Sequence, residues 1–282
     1  NLKKNLVFLG MMGSGKSSIG NLVSKKLNLT FIDIDNLIEN EMGMTISDIF
    51  EKKGEVYFRN IEEKITLKTL KNSSNVKNIT LMTHFSSADN QNSSSTINQI
   101  EQFNNIIDSN QNNTSLANSA ALMAFEKAHS EYTRPGIMLY GSSPFPYSEK
   151  FKDLSPAMTL QSSLISIKEF KSGQNVGYGE RYFCKEDTII GVVAIGYADG
   201  YPRSAQDGTP VFINGGIATI AGRVSMDMIT INLKGIKNPQ IGDRVELFGE
   251  NVSIDEVAEN CNTISYEIFS QITNRVYKTY VS

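Results

Sequence analysis

The pattern of apolar and polar positions changes character twice along the chain. Asn5-Leu-Val-Phe-Leu9 reads as a short buried strand, and a glycine-rich turn leads from it into a helical pattern ending at Leu27. Phe31-Ile-Asp33-Ile-Asp35 reads as a strand, and its period of two puts both carboxylates on one face. Thr45-Ile-Ser-Asp48 looks like a capping start for a helix ending near Gly54, and Gly54-Glu-Val-Tyr-Phe58-Arg59 opens another. Strand and helix then alternate: a strand from Asn78 to Phe85, a helix from Ile97 to Ile107, and a short run from Ser115 to Asn118 turning into a helix. Thr133 to Gly141 follows as strand and turn. Such alternation predicts β/α units of a parallel barrel, whose sites lie at the C-terminal strand ends. From Pro156 the pattern becomes polar/apolar alternation to Phe170, with one phase slip near Leu164-Ile165. Short strands follow at 188–195, 210–213, 217–221, 228–233 and 244–248, a density that predicts a barrel or sandwich. Ser253-Ile-Asp-Glu256 opens a helix to about Asn260, a second runs from Tyr266 to Ile272, and Arg275 to Val281 reads as a last strand.

Composition narrows the function classes. The chain has 282 residues, 40% apolar and 20% charged, which suits one large or two ordinary globular domains. A net charge of −3 argues against a nucleic-acid or anionic-membrane surface, which needs clustered Lys and Arg. No apolar run approaches the ~20 residues of a membrane helix. The two cysteines, Cys184 and Cys261, are too few for a disulfide framework or a zinc site. A reduced, cytoplasmic protein without a signal peptide is expected, and the opening Asn1 suggests a fragment or a processed chain.

Gly10-Met-Met-Gly13-Ser-Gly15-Lys16-Ser17 is a complete G-x-x-x-x-G-K-S loop in its strand–loop–helix setting. The glycines allow backbone N–H groups to face phosphate oxygens, and the helix start adds its positive dipole end. Lys16 would reach the β/γ-phosphates of ATP and Ser17 the Mg²⁺. With Asp33-x-Asp35 and Gly-Glu-x-x-Phe-Arg59-x-x-Glu62, this order resembles the N-terminal half of shikimate kinase over residues 1–71. The resemblance implies Mg²⁺ at Ser17 and Asp33, Asp35 beside the reacting hydroxyl, and Arg59 on the shikimate carboxylate. The family's Gly-Gly-Gly turn, lid arginine and later substrate arginine have no counterpart after residue 71, so nucleotide binding is expected rather than turnover.

Three glycine-punctuated islands lie further on: Gln-Asn-Val-Gly-Tyr178-Gly, Gly-Tyr197-Ala-Asp-Gly-Tyr201-Pro-Arg, and Gly-Arg-Val-Ser-Met226-Asp-Met. On pattern alone these tyrosines could be packed on the surface of a β domain. Together, and with Thr-His84-Phe, Asn-Ser119-Ala and Arg134-Pro-Gly136-Ile137-Met-Leu-Tyr-Gly before them, they resemble alanine racemase, a pyridoxal-phosphate (PLP) enzyme, from about 75 to 282. The resemblance implies that Ser119 and the N–H groups of Gly136 and Ile137 hold the cofactor phosphate. Arg134 would donate to the pyridine nitrogen, and His84 would bridge Arg134 and the catalytic phenol. Tyr178 would be the second base, opposite the lysine that carries the cofactor, while Tyr197 and Met226 contact the alanine carboxylate and line the entrance. A phenol ionises near pH ~10 unless a neighbour stabilises its anion. In the family the β domain of one chain completes the barrel of another, which implies a homodimer. No lysine here stands in the family's Lys-Ala-Asn-Ala-Tyr-Gly setting, and the family's phosphate-contacting C-terminal tyrosine aligns with Asn274.

The expected organisation is therefore α/β plus β. A partial P-loop half-domain (1–71) is followed by a seam (72–78), a partial (β/α) barrel segment (79–150) and a β-barrel-like domain (156–282). Three functions stay open: an alanine racemase-like isomerase, an ATP-binding shikimate kinase-like module, and a non-catalytic product of gene fusion or recombination.

Overall fold

The computed structural model describes residues 6, 15–107, 113–146, 148 and 153–281. By contacts the chain forms two compact units, Asn1–Leu81 with Asp108–Asn113, and Met82–Ile107 with Thr114–Ser282. The barrel segment and the β domain thus fall in the same unit.

The first unit contains α1 (Lys16–Leu27), α2 (Ile34–Met42), α3 (Ile46–Lys53) and α4 (Glu55–Lys71). Ile38, Ile49, Phe58 and Ile65 form its core, and the Phe50 and Phe58 rings meet at 4.6 Å. Thr45 caps α3 by accepting from the Asp48 N–H, as its sequence predicts. The expected Asp33–Asp35 strand is not one. Asp33 is the N-cap of α2, accepting from the Asp35 N–H at 3.1 Å, and Asp35 lies in the first helical turn. An aspartate that can satisfy an orphan helix N–H competes with strand alternation, and here the cap wins. Gly10, Gly13 and the strand expected around them lie outside the described residues, Leu6 apart.

β1 (Thr80–Met82) precedes the second unit's barrel-like part, which holds α5 (Ser95–Ile106), β2 (Asn113–Asn118), α6 (Ser119–Ala124) and β3 (Tyr132–Arg134). β2 and β3 pair in parallel, Ser115 opposite Tyr132 and Asn118 opposite Arg134. The chain after β1 joins them through Thr83 N–H, which donates to the Ser115 carbonyl. Leu116, Ala117, Ala120 and Ala121 bury one side of this strand–helix unit against Phe85 and Ile100.

The β domain comprises β4 (Leu160–Phe170), β5 (Asn175–Val176), β6 (Tyr182–Phe183), β7 (Thr188–Val193), β8 (Pro210–Ile213), β9 (Gly216–Ile220), β10 (Ile229–Asn232) and β11 (Arg244–Phe248). Six of them close an antiparallel barrel in the order β10-β7-β4-β11-β8-β9, and β5 with β6 forms a separate hairpin. The phase slip at Leu164-Ile165 is a register shift of β4 against β7 between Leu164 and Ser166. The interior is filled by alternating residues such as Leu164, Val193, Val211, Ile220, Ile231 and Val245. α7 (Ile254–Asn260) and α8 (Ser265–Gln271) pack on it through Val257 and Ile268. The strand expected from Arg275 to Val281 is absent: those residues are irregular, with Tyr277, Tyr280 and Val281 about 90% exposed. β9 already pairs with β10 to complete the barrel, so another strand finds no ladder to join.

Ser142 joins the two parts of this unit. Its buried hydroxyl donates to Asp255 Oδ1 at 2.5 Å and lies 2.7 Å from the Ser265 hydroxyl.

Candidate active site

Tyr178 stands on a 3-10 turn (Tyr178–Glu180) in the β5–β6 connection, flanked by Gly177 (φ 79°) and Gly179 (φ 68°). Both glycines occupy left-handed conformations that a side chain would strain. A Cβ on Gly177 would also come within 3.1 Å of the Arg223 nitrogen, so this turn lies directly on the Gly222–Arg223 backbone. Arg181, at the end of the turn, bonds Asp207, the Ala205 carbonyl and the Gly222 carbonyl.

Tyr197 stands on a second 3-10 turn, Tyr197–Asp199, whose start is fixed by the Gly196 N–H donating to Asp199 Oδ2. Tyr197 N–H donates to the Ser225 carbonyl and Ala198 N–H to the Met226 carbonyl, each at 3.0 Å. Arg275 reaches Asp199 and Asp227, tying the C-terminal segment to both loops. The second and third islands are therefore bonded to each other, and Arg181 ties the turn of the first to Gly222. Tyr178, Tyr197, Arg203, Arg223, Ser225 and Met226 line a cleft of about 380 Å³. Tyr178 is 70% exposed, whereas Tyr201 is buried with no partner for its hydroxyl among the described residues, and burial pushes its ionisation far above the usual phenol range. Of the two, only Tyr178 lines this cleft.

A second group forms at the C-terminal ends of β2 and β3. Asn118 caps α6 by accepting from the Ala121 N–H, which sets Ser119 on the first helical position. The Ser119 hydroxyl accepts from the Gly136 N–H at 2.8 Å, and Ile137 begins the 3-10 turn that follows. Arg134 Nη1 donates to the Ser115 carbonyl (2.8 Å) and hydroxyl (2.5 Å), and Nη2 to the carbonyls of Thr83 (2.6 Å) and Leu116 (3.3 Å). None of these four bonds uses Nε. His84, next to Thr83, is exposed and receives none of them. No bond joins His84 to Arg134 within this chain, where neighbouring strand carbonyls take both Nη groups. None of Ser119, Arg134, Gly136, Ile137 and His84 lines the tyrosine cleft.

In the first unit Gly15 (φ 79°) precedes α1, and Lys16 and Ser17 open that helix. Burial raises the Asp35 pKa, with Asp33, Glu62 and Glu39 adding to the effect and Lys16 opposing it. Asp33 is engaged as a cap, and Arg59 pairs with Glu62 (2.9 Å) and Glu55 (3.4 Å) on its own helix. Among the described residues no three His, Cys, Asp or Glu side chains group as metal ligands.

Sequence reasoning passed over Arg181, Asp207 and the Ser142–Asp255 contact. Their only local signal was the proximity of Arg181 to Tyr178, since the partners are 26 and 113 residues away.

Comparisons with known proteins bear on both groups. Residues 157–280 match the alanine racemase C-terminal domain, 52–144 the alanine racemase N-terminal domain, and 12–83 shikimate kinase. The biosynthetic alanine racemase of Pseudomonas aeruginosa is 44% identical over 212 residues, 75% of this chain and 59% of that protein. The chain thus spans less than two thirds of that relative's length. The crystal structure of a biosynthetic alanine racemase from the same organism superposes with a TM-score of 0.74 at 42% identity, covering 78% of this chain and 62% of that one. An alanine racemase from Bartonella henselae with covalently bound pyridoxal phosphate gives 0.67 at 27% identity, covering 78% and 62%. Its barrel-like segment and closed β domain follow that fold, and over most of its length the chain belongs to the alanine racemase family.

Proposed function

We propose that this chain binds pyridoxal phosphate and alanine, and that Tyr178 moves the alanine α-proton as one base in the interconversion of L- and D-alanine. The observation that carries the reading is the meeting of the Ser119 hydroxyl and the Gly136 N–H at 2.8 Å, beside Arg134, at the C-terminal ends of two parallel strands. A bound phosphate would take the place of the Ser119–Gly136 bond, after which the Ser119 hydroxyl, the Gly136 N–H and the leading N–H of the Ile137 turn would be three donors for its oxygens. Arg134 is locked by its Nη bonds and has Nε left to donate to the pyridine nitrogen. These donors fit the cofactor, which when bound supplies an electron sink for the pair left by the α-proton. Tyr197 and Met226 border the space in which alanine would meet Tyr178.

The phosphate group and the tyrosine cleft have no lining residue in common, and Tyr178 is largely exposed. Both facts support a homodimer in which the β domain of one copy brings Tyr178, Tyr197 and Met226 to the Ser119–Arg134 end of another, where His84 would find its partner. Because no lysine stands in the family's cofactor setting, the base on the other face is left unassigned.

The test uses the reduced conjugate of pyridoxal phosphate and L-alanine, which needs no lysine to bind. Titration calorimetry on the full chain should show binding that weakens about tenfold or more in Ser119→Ala, the loss expected for a hydrogen bond to a charged group. Absence of heat up to about 1 mM conjugate, an affinity poorer than ~4 kcal/mol, would sink the reading.

A second reading is favoured by the shikimate kinase match and by the charge coupling of Lys16 to Asp35. In it Gly10, Gly13, Gly15 and Lys16 hold ATP phosphates, Ser17 and Asp33 hold Mg²⁺, and Asp35 and Arg59 face shikimate, in a half-domain fused at a seam over 72–78. Asp33 caps α2 through Oδ1, which leaves Oδ2 to face Mg²⁺. Stabilisation by Mg-ATP that disappears in Lys16→Ala is the expected result, and an unchanged melting curve with ATP counts against it.

A further inference from the structure

We propose that Arg181 and Asp207 are a positioning pair that holds the Tyr178 turn against the loop carrying Arg223 and Met226; this rests on the reading of Tyr178 as a proton-transfer group. Arg181 is the residue on which the Tyr178–Glu180 turn ends, and its side chain reaches two separate segments, 205–207 and Gly222. Nη2 donates to the Gly222 carbonyl at 2.8 Å and the Ala205 carbonyl at 3.0 Å, while Nη2 and Nε both reach Asp207 Oδ1, at 2.9 and 3.2 Å. The same carboxylate oxygen accepts from the Gly222 N–H at 2.7 Å. Gly222 is therefore held at both its backbone groups, its carbonyl by the arginine and its N–H by the aspartate.

The neighbourhood explains why this grip fixes Tyr178. Gly222 has φ +109°, and a Cβ there would come within 3.1 Å of the Val176 carbonyl and 3.5 Å of Gly177 Cα. A Cβ on Gly177 would in turn meet Gly222 Cα at 3.3 Å. The residues preceding Tyr178 and Arg223 are thus in backbone contact, with the Arg181–Asp207 pair clamping that contact from the side. Charge-assisted bonds are the stronger class of hydrogen bond. A planar guanidinium can serve three acceptors in fixed directions at once, which a lysine ammonium on a flexible stem does not reproduce. Glu180, the nearest other acid on the turn, is engaged with Asn175 and does not compete. Neither Arg181 nor Asp207 lines the cleft, so the pair acts through Tyr178 and Met226 and touches no substrate.

The experiment uses the full chain with 3-fluorotyrosine at position 178, in the parent and in Arg181→Met, Arg181→Lys, Asp207→Asn and the Arg181→Met/Asp207→Asn double variant. Amide hydrogen exchange across 177–181 and 222–226 should accelerate about tenfold or more in each charge-removing single variant, and no further in the double variant. Arg181→Lys should fall between parent and Arg181→Met. Amides in β4 and β7 should keep their parent rates, and the single fluorine line of Tyr178 should broaden or split. The proposal is overturned by unchanged exchange in both segments, by acceleration spread equally into β4 and β7, by additive effects in the double variant, or by an unaltered fluorine line. None of these readouts needs cofactor or turnover. Failure of the phosphopyridoxyl-alanine conjugate to bind would therefore fall on the alanine racemase reading, while these measurements judge the clamp separately.

Discussion

Gly196→Ala tests how closely the Tyr197 turn is fitted to the Met226 loop. Gly196 has φ −150° and ψ −164°, ordinary extended backbone, so a side chain there meets no conformational objection, only a spatial one. An added Cβ would sit 2.4 Å from both the Ser225 and Met226 carbonyl oxygens and 2.5 Å from the Met226 carbonyl carbon. Ordinary non-bonded contact begins about 1 Å further out, and backbone atoms have no rotamer through which to yield. The loops must part, which lengthens the two bonds from Tyr197 N–H and Ala198 N–H to those same oxygens. Two such bonds contribute about 1 kcal/mol each and the residual overpacking costs about 1–2 kcal/mol, so the expected destabilisation is about 3 kcal/mol. Urea denaturation followed by near-ultraviolet circular dichroism suits a chain with 11 tyrosines and no tryptophan. With a slope of about 2 kcal/mol/M, the midpoint of the β domain's transition should fall by about 1.5 M. A shift smaller than about 0.3 M, roughly 0.6 kcal/mol, would refute the claim that the two loops are fitted without slack.

Two other expectations follow from buried groups. Ser142→Ala leaves Asp255 and the Ser265 hydroxyl short of a partner in the interior; it should cost about 1–3 kcal/mol, seen calorimetrically as a melting point lower by roughly 4 °C. Burial pushes the Cys261 thiol up to about 11. Its folded-state value is raised, so the protonated thiol's contribution is complete below the unfolded thiol range near ~8.5 and is lost as pH rises toward that folded value, by roughly 2 kcal/mol at the upper end. Urea midpoints at pH 8 and pH 10.5 should differ accordingly, and Cys261→Ala should remove this part of the drop; an undiminished drop in that variant would show the thiol is not its source.

What the sequence made legible was periodicity and local capping. Arg244–Phe248 and Pro210–Ile213 are strands where alternation puts them, and the phase slip at Leu164-Ile165 is a register shift. Thr45, Asn118 and Ser253 are caps because their oxygens reach an N–H only two or three residues on. The failures have the same physical origin. At Asp33 a two-residue carboxylate spacing was read as strand alternation when a cap explains it equally well. At Arg275–Val281 an alternating run had no ladder to pair with, a fact of topology that no local pattern carries. The three glycine-punctuated islands were recognisable as turns, yet what binds them together was not. The Arg181–Asp207 clamp and the Tyr197–Ser225 bond join residues more than 20 positions apart. The three carbonyls that take the Arg134 Nη groups come near it only in three dimensions, so no local pattern announced them.

The bonds that zip the Tyr197 turn to Ser225 and Met226 run entirely between main-chain atoms. Side chains at 197, 225 and 226 therefore border the cleft without holding it together, while glycines at 177, 196 and 222 hold it together without bordering it. The stability of the cleft and the shape of its lining are thereby assigned to different residues. A lineage could exchange the phenol at 197 or the thioether at 226 for other shapes, and so reshape the cleft, at little cost to folding. Substitution of the three glycines has no such freedom, and descendants with an altered cleft should retain them.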